Sequence, residues 1–134
     1  MRFQLNFASG KPVYLQVVDQ VKAAAASGAL QPGDPLPSIR PLAVDLRVNR
    51  NTIAKAYAEL ESQHVIETVP GKGCFVRIGN SPFKKDVRLK VLAEAIDEAV
   101  VQAHHLQVSK GDFLRLAEER FDTFQQQRTR AVNA

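Results

Sequence analysis

The narrowest constraint on the fold is the stretch from Asn49 to Glu61, where apolar side chains recur with the period of a helix along one side only. Asn49 is a good helix cap, because its side-chain oxygen can accept from an early backbone N–H. Ile53, Ala56, Tyr57 and Leu60 follow at the i, i+3, i+4, i+7 spacing of a single buried face. At about 100° per residue, Asn51, Lys55, Ala58 and Ser62 fall opposite, Ala54 lies on the flank, and Arg50 and Thr52 occupy the first turn. That outer side is polar, short-chained and lightly basic.

Such a face suits a helix lying in a DNA major groove about 12 Å wide, where small residues allow close approach and donors meet base edges and phosphates. Ala54 and Ala58 supply clearance, Asn51 can reach an adenine edge, Arg50 can pair with guanine or a phosphate, and the Lys55 ammonium suits a phosphate. The plainer reading is an amphipathic helix with a wet outer face, since alanine is also the best helix former.

The preceding residues favour the first reading. Pro37 to Leu46 forms a shorter helical pattern capped by Ser38, with Ile39, Leu42, Ala43 and Leu46 as its inner stripe. Pro41 sits in the first turn, where a missing N–H costs little. Arg47 and Val48 connect tightly to Asn49, so two helices with facing stripes meet across a short turn, as in a helix-turn-helix whose second member reads the groove. Beyond it, His64 to Val69 and Cys74 to Ile78 are short runs rich in β-branched residues around Pro70-Gly71-Lys72-Gly73. Gly71 and Gly73 permit positive φ and leave the Lys72 cation at a bare tip. This describes a wing that reaches along the DNA backbone; a surface hairpin with a solvated lysine is the alternative.

The run Leu36-Pro37-Ser38-x-Arg40-x-Leu42-Ala43-x-x-Leu46-x-Val48-Asn49-x-Asn51-Thr52-Ile53-x-Lys55-Ala56-Tyr57-x-Glu59-Leu60-Glu61, closing in Gly71-x-Gly73-x-Phe75-Val76, resembles the winged-helix domain of GntR-type bacterial transcription regulators. Asn-x-Asn-Thr followed by Lys-Ala-Tyr is similar to the YtrA branch of that family. The resemblance covers residues 11 to 78. It implies DNA contacts from Ser38 and Arg40 of the Pro-Ser-x-Arg motif, from Asn49, Arg50, Asn51 and Thr52 at the start of the reader helix, and from the wing tip at Gly71. Three departures stand out. Ala54 occupies a position where many members carry an arginine, so that phosphate contact is lost or moved to Lys55. Arg47 and His64 stand where glycine is usual, so His64 must adopt a left-handed backbone or end the helix differently.

The rest of the chain reads as support and assembly. Residues 1 to 11 run extended into a first helix beginning near Pro12, with Tyr14, Val17, Val18, Val21 and Ala25 in its stripe, Gly28 as its stop, and a turn-rich connector at residues 31 to 35. This helix supports the reader from behind. Gly79-Asn80-Ser81-Pro82 marks the end of the winged domain, giving residues 1–79 and 80–134 as two regions. Residues 84 to 107 carry Val91, Leu92, Ile96 and Val100 in helical step, and a helix after Ser109 carries Phe113, Leu116, Phe121 and Phe124. Two antiparallel helices cannot cover that much apolar surface alone, so a homodimer is expected, C2 association being the commonest. The alternative is packing back on the same chain's winged domain. A YtrA-type resemblance implies the same two-helix dimerisation tail.

Other chemistry is thinly represented. Residues 1–80 hold nine Lys/Arg against six Asp/Glu and residues 81–134 nine against eight, so the excess of the +4 net charge lies in the half that holds the reader. The 134 residues leave little material for an enzyme fold with its own pocket. His104 and His105 are adjacent and diverge on a helix, Asp97, Glu98, Glu118 and Glu119 read as solvated faces, and no nucleophile–base pair or phosphate-cradling loop appears. Neither catalysis, a cofactor nor a metal is therefore expected. The single Cys74 reads as a buried structural thiol. Without a long apolar run or signal-like segment, a soluble cytoplasmic protein is expected. The expected fold is α+β, mostly α, a winged helix-turn-helix domain followed by a two-helix dimerisation tail. The expected function is sequence-specific binding of double-stranded DNA by a dimeric repressor at an inverted-repeat operator, with a small-molecule effector pocket between subunits left open. The competing reading is a winged-helix module for protein contacts without specific operator binding.

Overall fold

The stripes read from the sequence for the first three helices are the faces that pack. The computed structural model describes residues 1–79 and 83–133, in the order α1 (Val13–Ser27), α2 (Ile39–Leu46), α3 (Arg50–Ser62), β1 (Ile66–Val69), β2 (Gly73–Val76), α4 (Lys85–His105) and α5 (Lys110–Asn133). Contacts divide the chain into two units, residues 1–79 together with 128–134, and residues 80–127. The expected boundary at Gly79-Asn80-Ser81-Pro82 falls on residues 80–82, outside the described residues.

In the first unit α3 is central, packing against α1, α2 and β1. Its Ile53, Ala56, Tyr57 and Leu60 are buried together with Val17, Val18 and Val21 of α1 and Leu42 and Ala43 of α2. Ile66 and Val76, paired across the antiparallel β1–β2 hairpin, close the same core. Two features lie beyond the periodic pattern. The connector before α2 is a third strand-like segment beside β2: the Gly33 N–H donates to the Val76 carbonyl, the Val76 N–H to Asp34, and the Leu36 N–H to Cys74, all at 2.8–2.9 Å. The N-terminal segment is also tied down, with Phe3 in the core and the Gln16 and Gln20 side chains bonded to the backbone of Asn6 and Gln4.

Three helices end in the same way. Val48 N–H donates to Ala43, Val65 to Leu60 and Val108 to Ala103, and Arg47, His64 and Gln107 before them bond to carbonyls three residues back. These are Schellman closures, and their left-handed position is usually glycine. Here Arg47, His64 and Gln107 hold φ of 56°, 59° and 56°, so of the two options open to His64 the left-handed one is taken. A left-handed residue with a Cβ costs about 1–2 kcal/mol. Replacing Arg47 by glycine, with no native contact of its backbone lost, is expected to raise stability by about 0.5–1 kcal/mol after the extra unfolded-state entropy is subtracted. A denaturant midpoint that falls instead would show that the arginine side chain outweighs the strain.

α4 and α5 do not pack along each other; among the described residues they approach at the elbow, where Ile96, Val100, Ala103, Val108, Phe113 and Leu114 surround an open groove of about 540 Å³. Ser109 caps α5 as expected, its hydroxyl accepting from the Asp112 N–H at 3.2 Å. Val91, Leu92, Ile96, Val100, Leu116, Phe121 and Phe124 are all exposed in the single chain, with Phe113 partly covered. Among the described residues no helix is long and apolar enough to cross a membrane.

Candidate nucleic-acid interface

The same periodicity that buries one side of α3 presents the other. Arg50, Asn51, Ala54, Lys55 and Ala58 are exposed, and Thr52 is half-buried at the edge of the stripe. The helix begins as expected: the Asn49 side-chain oxygen accepts from the Asn51 N–H at 2.8 Å. This bond fixes the first turn through the backbone of Asn51, so the Asn51 amide remains available for an outside partner. Asn49 therefore acts in the structure as a cap as well as standing at the candidate interface.

The α2 end is built differently from the expectation. Ser38 has the extended backbone of a cap (φ −63°, ψ 148°), but its hydroxyl makes no capping bond. Pro41 stands at the third helical position and has no N–H to give, which removes one of the two backbone donors that a cap usually takes. Ser38 and Arg40 are both exposed there, the hydroxyl not consumed by its own helix. The α2–α3 orientation is held by Tyr57, whose hydroxyl donates to the Pro37 carbonyl at 2.6 Å. Burial pushes this phenol well above its ordinary pKa, and nearby Cys74 adds to the shift, which favours the neutral donor form of Tyr57.

The wing is anchored to the exit of the reader helix. Thr68 Oγ1 donates to the Glu61 carboxylate at 2.9 Å, Arg77 Nη1 lies 2.9 Å from His64 Nδ1, and the Arg77 N–H extends the hairpin by bonding to Val65. Gly71, Lys72 and Gly73 at the tip are exposed, with φ of 77° at Gly71 and 113° at Gly73. A Cβ on Gly71 would meet open space, so backbone conformation rather than crowding demands glycine there. Cys74 is partly buried on β2, with its sulfur 3.5 Å from Thr68 Oγ1.

The structure thus brings the first turn and outer side of α3, the start of α2 and the wing tip into one unit, all accessible. It also adds a residue that periodicity assigned only to the core. Tyr14 of α1 lies beneath Lys55, with the ammonium 4.2 Å from the ring centroid. Helical spacing within either element could not reveal a pair that spans two of them. Among the described residues no group of three or more His, Cys, Asp or Glu is placed to hold a metal ion.

Comparison with known proteins agrees with this geometry. Residues 13–76 match the family described as bacterial regulatory proteins, gntR family. The chain is 33% identical to the HTH-type transcriptional repressor YtrA of Bacillus subtilis over 76% of its own length and 78% of that protein's. A solved structure titled as a transcriptional antiterminator from Listeria monocytogenes EGD-e superposes with a TM-score of 0.80 at 34% identity, over 92% of both chains. The DNA-binding domain of AraR, solved in complex with operator ORX1, matches with a TM-score of 0.51 at 28% identity, over 57% of this chain and 98% of that one. These relatives are regulators and not enzymes. With the winged helix, the exposed outer side of α3 and similarity to YtrA over about three quarters of both chains in hand, the chain belongs to the GntR family of bacterial transcription regulators and is of the YtrA type.

Proposed function

We propose that the protein is a homodimeric repressor that occupies an inverted-repeat operator, each α3 entering one major-groove half-site and each wing resting on flanking backbone. The observation that carries this reading is the two-sidedness of α3: Ile53, Ala56, Tyr57 and Leu60 are sealed, while Arg50, Asn51, Ala54, Lys55 and Ala58 face solvent. In this reading Arg50 and Asn51 meet base edges. Ser38, Arg40, Asn49, Thr52, Lys55 and the Gly71-Lys72-Gly73 tip meet the backbone.

Dimerisation follows from the tail. Leu92, Ile96, Val100, Leu116 and Phe121 are each between 45% and 65% exposed in one chain, an apolar load that monomeric proteins seldom leave in water. A twofold pair would bury these positions against themselves and set two readers in opposite orientation. A name of the repressor kind among the relatives supports the direction of regulation.

The test is selection of bound fragments from the host's genomic DNA, combined with the mass of the complex. The expected site is a pseudo-palindrome whose half-site centres lie about 10 base pairs or a multiple apart, bound by a species of twice the 14.8 kDa of one chain. Enriched sites without dyad symmetry, or binding by a monomer, would defeat the proposal. Transcription that rises when the protein occupies its site would reverse the sign of regulation.

A further inference from the structure

Lys55 is not a freely waving surface lysine. Its ammonium rests over the Tyr14 ring, and the two side chains form one wall of an open groove of about 300 Å³ completed by Val13, Asn51 and Thr52. The polar groups on this lining are a cation, a hydroxyl, an amide and a phenol, with no carboxylate. Such a groove favours an anionic ligand rich in acceptor oxygens, and its openness suits a passing polymer better than an enclosed small molecule. Lys11, the other lysine near this end of α1, is engaged in an ion pair with Asp19. Lys55 is thus the cation placed at the groove.

We propose that Tyr14 is a positioning residue of the DNA interface: its ring holds the Lys55 ammonium beside Thr52 so that the two together seat one backbone phosphate of the bound duplex. This deepens the DNA-binding reading above and rests on it. The ring quadrupole attracts the cation without consuming its N–H donors, which remain able to bond a phosphate. A lysine stem that is already ordered loses less rotamer freedom when the phosphate arrives. Asn51, on the adjoining wall, is left for a base edge. α1 thereby takes part in recognition and is more than a support behind the reader.

The contact is independent of sequence, so the probe is a short labelled duplex of random sequence, titrated by anisotropy over a range of salt. Lys55→Gln is expected to reduce the slope of log K against log salt by about 0.9, the value for one phosphate. Tyr14→Phe should bind within about twofold of the parent, whereas Tyr14→Leu should lose about two- to fivefold, the range a cation–π contact at an exposed site allows. In the Tyr14→Leu background the further cost of Lys55→Gln should shrink, since the two changes remove one arrangement. Tyr14 is partly buried against the core, so a ring-fluorinated phenylalanine at position 14 serves if Tyr14→Leu unfolds: it keeps the shape, drains the ring face of negative charge, and should weaken binding relative to Tyr14→Phe. Equal Lys55→Gln costs in both backgrounds, or equal binding by the fluorinated and plain rings, would overturn the proposal while leaving DNA binding intact. A parent protein that fails to bind any duplex would remove both readings together.

Discussion

Replacing Arg50 and Asn51 together by alanine is expected to weaken binding to the selected operator by about a hundredfold or more, with little change in fold or dimer mass. Each well-placed bidentate contact to a base edge contributes about 1–3 kcal/mol of discrimination, and Arg50 and Asn51, two side chains able to make one, are exposed in the first turn of α3. Stability should hold, because the cap bond runs from the Asn49 side chain to the backbone N–H of Asn51, which alanine retains. Binding to a scrambled duplex should fall much less than binding to the operator. The comparison is a titration of both duplexes with circular dichroism as the folding control. Equal losses on both would mean that these residues meet phosphates and that specificity arises elsewhere.

Ile53→Ala should have the largest effect on the molecule as a whole. Ile53 is fully buried on the helix that α1, α2 and β1 all contact. Truncating a large aliphatic side chain in such a site costs about 2–5 kcal/mol. Small domains have only about 5–15 kcal/mol to lose, and at about 4–8 °C per kcal/mol the melting temperature should fall by 10 °C or more. Operator binding should fail at the same temperatures, since the helix proposed to read DNA is also the one that organises the core. Urea denaturation checks this directly; an unchanged midpoint would mean that α3 is not the centre of the fold.

Much of the winged unit was legible because its signals are local. The caps at Asn49 and Ser109, the stop at Gly28 and the stripes of α1, α2 and α3 depend on neighbours within a few residues, and each has the position expected. The exposed side of α3 was legible for the same reason, being the complement of its buried side. Ser38 holds the cap position as expected, but that its hydroxyl makes no capping bond was not legible from the residue type alone. Apolar stripes on two successive helices state that both need cover, but do not state that they cover each other, and in the single chain they do not.

The sequence by itself determined which face of each helix is apolar, where the first helices start and stop, and which polar residues line the reader. Tertiary structure alone decided that residues 33–36 lie beside β2, that Phe3 closes the core, that Tyr14 lies under Lys55, and that α4 and α5 part at their elbow. The physical reason is that helical and strand periodicity records only that a side chain leaves water. Which distant segment receives it is set by backbone hydrogen bonds and packing between elements, and these carry no fixed spacing along the chain.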